Sequence, residues 1–533
     1  MDGFVLQPAR SPVWNSFTRL VNSRAFQLTT LMLWALMLNR EGVRVPNGNE
    51  WIYLLYFYKA WHPHFLAGDW TMQETSAGHA VFNHSVGWIT LLMPLGVAAW
   101  VGRIACWFMV FIALLRLGSH YKIPSWAVWV GILMWLGEKQ SPVTMDWIIG
   151  TFEAKVIAYI FLLFGIDAAI RGKNLLAGIL CGLAFSFHTA VGMWGGAAVG
   201  VAVLLNNRIR QTIIFSIAAI VLALPGLVTS LPLVMSDHAI SAAGAKFLVT
   251  VALPSCLDAR SFPHTWLLVL PVMALFSAVH SRWLSGDRSA RMLCCFECTA
   301  ALCFLFGLFA RFTDRFGLAL LYPMRVLAVF ALLLFFWQFT RLLQEVWIGN
   351  SIGKNKLAAP LLCCGCLLFL AIPSPLLGMR DLAATHVERL KEVSTGQTTP
   401  ARNDDASFKD AALWIAGHTP TGDLVIAPPW RAECFYFARR PLIANWHAPR
   451  YDQMDQWQVR IEDLVGDVSK DNDNPEDMGT RPRARYAQLT TRQVVDLMKK
   501  YTNDGQGCWF ISTSPYPFLE VYKTGSYSVY HLR

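Results

Sequence analysis

Between residues 25 and 377 the chain returns repeatedly to apolar runs of about 14–24 residues, and runs of that length leave few ways to fold. A bilayer core takes about 20 apolar residues per helix, somewhat fewer where polar flanks reach to the interface. The runs fall at about 25–39, 86–102, 104–117, 154–170, 174–187, 190–205, 211–233, 264–280, 292–310, 317–340 and 357–377, with a short one at 124–137. They predict an α-helical polytopic membrane bundle of about 11–12 transmembrane helices.

Composition narrows the alternatives. Of 533 residues, 55% are hydrophobic and only 15% charged, against about 45–50% and about 25% in soluble proteins. Disorder, collagen-like repetition and a soluble multidomain enzyme are disfavoured. Of the 45 Lys and Arg and 35 Asp and Glu, 19 and 20 lie from Gly378 onward, leaving 26 and 15 before it. The basic excess belongs to the hydrophobic part, where it marks cytoplasmic loops rather than a nucleic-acid surface.

Those clusters set an orientation. Arg10, Arg19 and Arg24; Arg171 and Lys173; Arg208 and Arg210; Arg282, Arg288 and Arg291; and Arg341, Lys354 and Lys356 all belong inside. Residues 40–85, 138–153, His188, 234–263, 311–315 and the last 156 residues then lie outside. A span at 124–137 breaks this parity, so it reads as a re-entrant or paired half-helix buried in protein. The first span follows three arginines without a cleavage motif and reads as an uncleaved signal-anchor. No 20–50-residue repeat is present.

Three segments are expected: a membrane domain at 1–377, a linker at 378–405 and an extracytoplasmic α/β domain at 406–533. In the last, helices are expected at 407–417, 433–439, 452–465 and 490–501, and strands at 424–427, 442–446, 508–513, 518–523 and 526–532. The stretch 468–484 reads as an exposed loop. Ten of the twelve cysteines lie in or near apolar runs and read as small packing residues. Cys434 and Cys508 fall in the tail, where both a disulfide and two free thiols stay open.

The loop at 40–85 is too aromatic to be freely solvated, and helices lying along the membrane surface explain it. It carries Glu50 and Asp69 into an apolar setting. Desolvation there raises a carboxyl pKa and suits it to proton transfer. The plainer reading is that both acids cap helices or pair with Lys59, His62 or His64.

The chain resembles the GT-C class of membrane glycosyltransferases, and more closely a group of bacterial integral membrane proteins related to that architecture. The resemblance rests on Asn49, Tyr53, Leu54, Pro63, Phe65, Leu66, Asp69 and Trp70; on Phe152, Glu153, Lys155, Phe187 and His188; and in the tail on Trp414-Ile415, Thr419-Pro420, Ala427-Pro428-Pro429, Arg439-Arg440 and Trp457 to Arg460. It implies a multi-pass protein of the bacterial cytoplasmic (inner) membrane that takes sugar from a polyprenyl-phosphate donor. Asp69 would be the general base and Glu50 the second acid, although the adjacent acids or Asp-x-Asp frequent in GT-C enzymes are missing from the loop.

A lipid phosphate needs cations at the outer face. The candidates are Lys155, Arg311, Arg315 and Arg325, with Glu153 and His188 beside them. Arg325 has Glu297 as an alternative structural partner; His188 at a span's end is more often a satisfied interfacial histidine than a ligand, and Glu153 and Lys155 read also as anchors of a span. Two other classes compete: a transporter or flippase of a lipid-linked or anionic solute, and a non-catalytic assembly component. No Walker loop, dinucleotide loop or Gly-x-Ser-x-Gly elbow occurs. No cluster has metal-ligand spacing, which leaves open a divalent cation carried with the donor phosphate.

Overall fold

The computed structural model describes residues 12–38, 45–46, 48–72, 77–137, 140–141, 143–144, 146–235, 240–283, 287–349, 358–371, 387, 400–446, 453–468 and 480–532. Arg10, Lys354, Lys356 and most of the expected linker lie outside the described residues.

Among the described residues eleven apolar helices build the bundle: α1 (Arg24–Leu38), α2 (Leu95–Ser119), α3 (Ser125–Gly137), α4 (Ala154–Ile170), α5 (Asn174–Phe187), α6 (Thr189–Asn206), α7 (Ile209–Met235), α8 (His264–Trp283), α9 (Arg288–Phe312), α10 (Arg325–Gly349) and α11 (Ala358–Ala371). Five of them, α2, α6, α7, α9 and α10, carry stretches long and apolar enough to cross a membrane. Packing is closest where side chains are smallest. A Cβ at Gly178 or Gly182 of α5 would collide with the carbonyls of Phe215 and Ala219 on α7. This small-xxx-small spacing lets two backbones touch.

One expectation is corrected. The runs at 86–102 and 104–117 are not two spans; they give the single helix α2, preceded by short turns at Ala80–Val86 and Gly87–Leu91. The charge that divides them, Arg103, is wholly buried and ion-paired with Glu50 rather than exposed in a loop. The segment at 124–137, expected as a re-entrant or paired half-helix, is the 13-residue α3, shorter than the five candidate spans and packed against α1, α2 and α10. With α2 whole, the alternation of helix direction closes without a parity break.

Polar ties confirm which turns share an end. Lys122, between α2 and α3, pairs with Asp287 at 2.7 Å, and the Arg341 side chain donates to the Lys122 carbonyl. Asp167 collects Arg116, His120 and Arg171. Arg288 donates to Asn207 at 2.6 Å. We call this the basic end. The starts of α4 and α10 and the α5–α6 turn lie at the other.

The tail follows α12 (Pro400–His418), which begins within the stretch expected to be linker; proline suits the first turn of a helix because its missing N–H is not needed there. A four-stranded sheet, β1 (Leu424–Ile426), β2 (Cys508–Ser512), β3 (Leu519–Thr524) and β4 (Tyr527–Leu532), has the order β1-β2-β4-β3, with β1 and β2 parallel and the other pairs antiparallel. Helices α13 (Glu433–Ala438), α14 (Met454–Val465), α15 (Thr480–Ala487) and α16 (Thr491–Tyr501) surround it. The strand expected at 442–446 shrinks to one bridge between Leu442 and Val425, because the Leu442 N–H is given to Asp69 instead. Of the loop expected at 468–484, residues 469–479 lie outside the described residues and 480–484 open α15, whose Tyr486 is buried and donates to the Ile511 carbonyl. Cys434 and Cys508 are buried free thiols.

The tail is not a loose appendage. One apolar core runs from Phe57 and Phe152 in the bundle to Phe408, Val425 and Phe435 in the tail. The helix Glu50–Lys59 sits between them, with Trp51 meeting the rings of Tyr436 and Phe437.

Candidate functional site

A small cavity of about 40 Å³ opens at the end of the bundle opposite the basic end, lined by Asn49, Tyr53, His79, Phe82, Asn83, Glu153, Ala154, Lys155, His188 and Arg325. Each wall is set by a helix end. Glu153 occupies the extended residue before α4 and Lys155 its first turn. His188 separates α5 from α6, and Arg325 opens α10. Asn49 and Tyr53, four residues apart, project from the start of the Glu50–Lys59 helix onto one face.

The charges are buried in balance. Lys155 lies 3.4 Å from both Asp146 and Glu153, with its ammonium 4.3 Å from the Trp147 ring centre. Arg325 is ion-paired with Asp146 and lies over the Tyr322 ring at 4.4 Å. Two carboxylates thus offset two cations, as burial of charge requires. Glu153 accepts from the Thr151 hydroxyl through one oxygen and faces the Asn49 amide at 3.4 Å through the other.

Two imidazoles stand 5.3 Å apart between these groups. Arg325 Nη1 lies 3.2 Å from His188 Nε2, and the Val191 N–H is given to His188 Nδ1 at 3.4 Å. Burial, reinforced by Arg325 and Lys155, holds His188 well below the ordinary histidine range. Burial likewise lowers His79 to about 4, with Glu153 opposing. Both rings are neutral near pH 7. His79 Nδ1 and Asn83 Nδ2, of two residues that line the cavity, are buried without a hydrogen-bond partner among the described residues.

Of the eight residues singled out in the sequence, Glu153, Lys155, His188 and Arg325 meet here. Arg325 takes Asp146, not Glu297, which accepts from Ser277 and Gln338 elsewhere in the bundle. Glu50 lies behind the wall. Its carboxylate is pinned by Arg103 and accepts the Phe152 N–H at 2.6 Å, fixing the backbone that presents Glu153. Asp69 joins the first loop to the tail: one oxygen accepts from Thr71 N, Thr71 Oγ1 and Met72 N, the other from Leu442 N. Burial raises its pKa. Arg311 forms a two-toothed pair with Asp258, and Arg315 is exposed; neither lines the cavity.

Asp146, His79 and Asn83 escaped sequence reasoning. Asp146 had only a weak signal, a carboxylate just before the apolar Trp147-Ile148-Ile149 in the polar-mixed stretch between α3 and α4. For the divalent cation, the donor set does not assemble: both carboxylates already hold cations, and no three His, Cys, Asp or Glu side chains among the described residues converge as a metal site.

The chain matches no protein-family model and no curated protein.

Proposed function

We propose that this is a GT-C-like glycosyltransferase of the bacterial inner membrane, moving a sugar from a polyprenyl-phosphate donor to an extracytoplasmic acceptor. The observation that carries the reading is the convergence of Glu153, Lys155, His188 and Arg325 on one buried cavity away from the basic end. By the positive-inside rule the basic end faces the cytoplasm, so cavity and tail face the opposite compartment.

In this reading Lys155 and Arg325 exchange part of their pairing with Asp146 for the donor phosphate, a geometry in which guanidinium and ammonium groups excel. Glu153, rather than Asp69, removes the acceptor hydroxyl proton. The acceptor oxygen then bonds to the anomeric carbon as the bond to phosphate breaks, and polyprenyl phosphate leaves with the negative charge. His188, kept neutral, orients Arg325. Asp69 has four donors already and no access to the cavity. The tail, packed on the helix that carries Asn49 and Tyr53, forms the acceptor side.

The test is sugar transfer in membranes supplied with a panel of radiolabelled polyprenyl-phosphate sugars. Glu153→Gln should lose about 10²–10⁴-fold, the range for a general base, while Asp69→Asn keeps transfer within a few-fold. Equal transfer by wild type and Glu153→Gln sinks the mechanism. A tail reached only by cytosolic labels sinks the orientation with it.

A further inference from the structure

The basic end carries a feature that the transfer reading does not use. Three turns meet there: α4–α5 with Arg171 and Lys173, α6–α7 with Arg208 and Arg210, and α8–α9 with Arg288. They are contiguous. The Arg288 guanidinium stands about 3.5 Å from where a Cβ at Gly172 would be, and it donates to Asn207 in the next turn. All five cations are exposed. Arg171 is tied to Asp167, but among the described residues Lys173, Arg208 and Arg210 form no ion pair.

Directly beneath these cations the surface is apolar. Leu175 and Leu176 follow Lys173 on α5, Leu204 and Leu205 end α6, and Ile209 lies between the two arginines at the start of α7; all five are exposed, Leu205 and Ile209 by 67% each. The backbones of α5 and α7 touch through Gly178 and Gly182, so their first turns are neighbours. Helices α5, α7 and α9 all begin at this end, adding the partial positive charge of three N-termini.

We propose that this junction is a binding site for an anionic phospholipid, with the phosphate among Lys173, Arg208 and Arg210 and the acyl chains along the leucines of α5 and α6. Charge complementarity selects the headgroup, since a zwitterionic lipid brings its own cation against the three. The apolar belt selects a lipid over a soluble anion, which has nothing to lay there. The site is separate from the cavity and does not depend on the proposed chemistry.

Native mass spectrometry of the purified full chain in detergent, titrated with phosphatidylglycerol and with phosphatidylcholine of the same acyl chains, tests it. Each cation near a membrane surface is worth about fivefold in binding. Wild type should therefore bind phosphatidylglycerol at least about tenfold more tightly. The Lys173→Gln/Arg208→Gln/Arg210→Gln protein should bind both lipids alike, with its phosphatidylcholine affinity unchanged. The charge-conserving Lys173→Arg/Arg208→Lys/Arg210→Lys protein should keep the preference, which separates loss of charge from damage to the fold. Equal binding of the two lipids by wild type, or an undiminished preference in the glutamine protein, overturns the proposal. Complete displacement of phosphatidylglycerol by inorganic phosphate overturns the assignment to a lipid.

Discussion

Lys155 and Arg325 at the cavity end have side chains 6% and 11% exposed, and each is tied to Asp146. At the basic end Lys173, Arg208 and Arg210 stand in the open. The two ends use the same residue types under opposite solvation. A charge removed from water costs several kcal/mol unless a partner replaces the solvent, whereas an exposed one needs no partner and gains little from one. The cavity end is therefore a set of obligatory pairs whose loss is felt throughout, whereas Lys173, Arg208 and Arg210 at the basic end, beside the paired Asp167 and Asp287, are independent charges that answer to their surroundings.

The sharpest test of that contrast is Glu50→Gln. It leaves Arg103 buried without its counter-ion and should cost about 3–5 kcal/mol, read as thermal or denaturant unfolding in detergent. A loss below about 1 kcal/mol would erase the distinction between the ends.

Next comes acid. Native His79 stays neutral down to about pH 4, while the unfolded chain takes up the proton near 6.5. Its contribution is complete above pH 6.5 and is lost as pH falls towards 4, by roughly 2–3 kcal/mol. The His79→Gln protein should show a correspondingly flatter decline in melting temperature over that interval. Identical profiles would mean that the ring titrates normally.

Asp69→Asn places an amide donor against the Leu442 N–H. The expected cost is about 1–3 kcal/mol, with faster hydrogen exchange across residues 424–446 and little change in transfer. Loss of transfer without loosening there would return Asp69 to the chemistry.

The smallest effect belongs to the basic end. Lys122→Gln breaks the pair with Asp287, whose lysine side chain is 62% exposed, and should cost no more than about 1 kcal/mol, vanishing in high salt.

How much was legible beforehand follows the same division. Most apolar helices could be read from run length, since a membrane-length stretch of Leu, Ile and Phe has little else to do. Basic turns gave the shared end correctly. What sequence could not supply was a partner across space. Arg103 looked like a break because its counter-ion lies 53 positions away in Glu50, and that break set α3 against the alternation of the other helices. The cavity followed suit. Glu153, Lys155, His188 and Arg325 stood out as polar residues at helix ends, yet Asp146, which ties two of them, is placed by a buried loop with no periodic pattern. Glu50 and Asp69 attracted attention as acids in an apolar loop; their burial was foreseeable, but not that Arg103 and four hydrogen-bond donors would already engage them.

The helix Glu50–Lys59 offers Asn49 and Tyr53 to the cavity while its Trp51 is wedged among tail aromatics. Two interfaces are thus written on ten residues. A hybrid carrying a foreign C-terminal module would have to import this short rod as well, and lineages that diversify the module should show matched change along it. A change on either face of this rod therefore reaches the other.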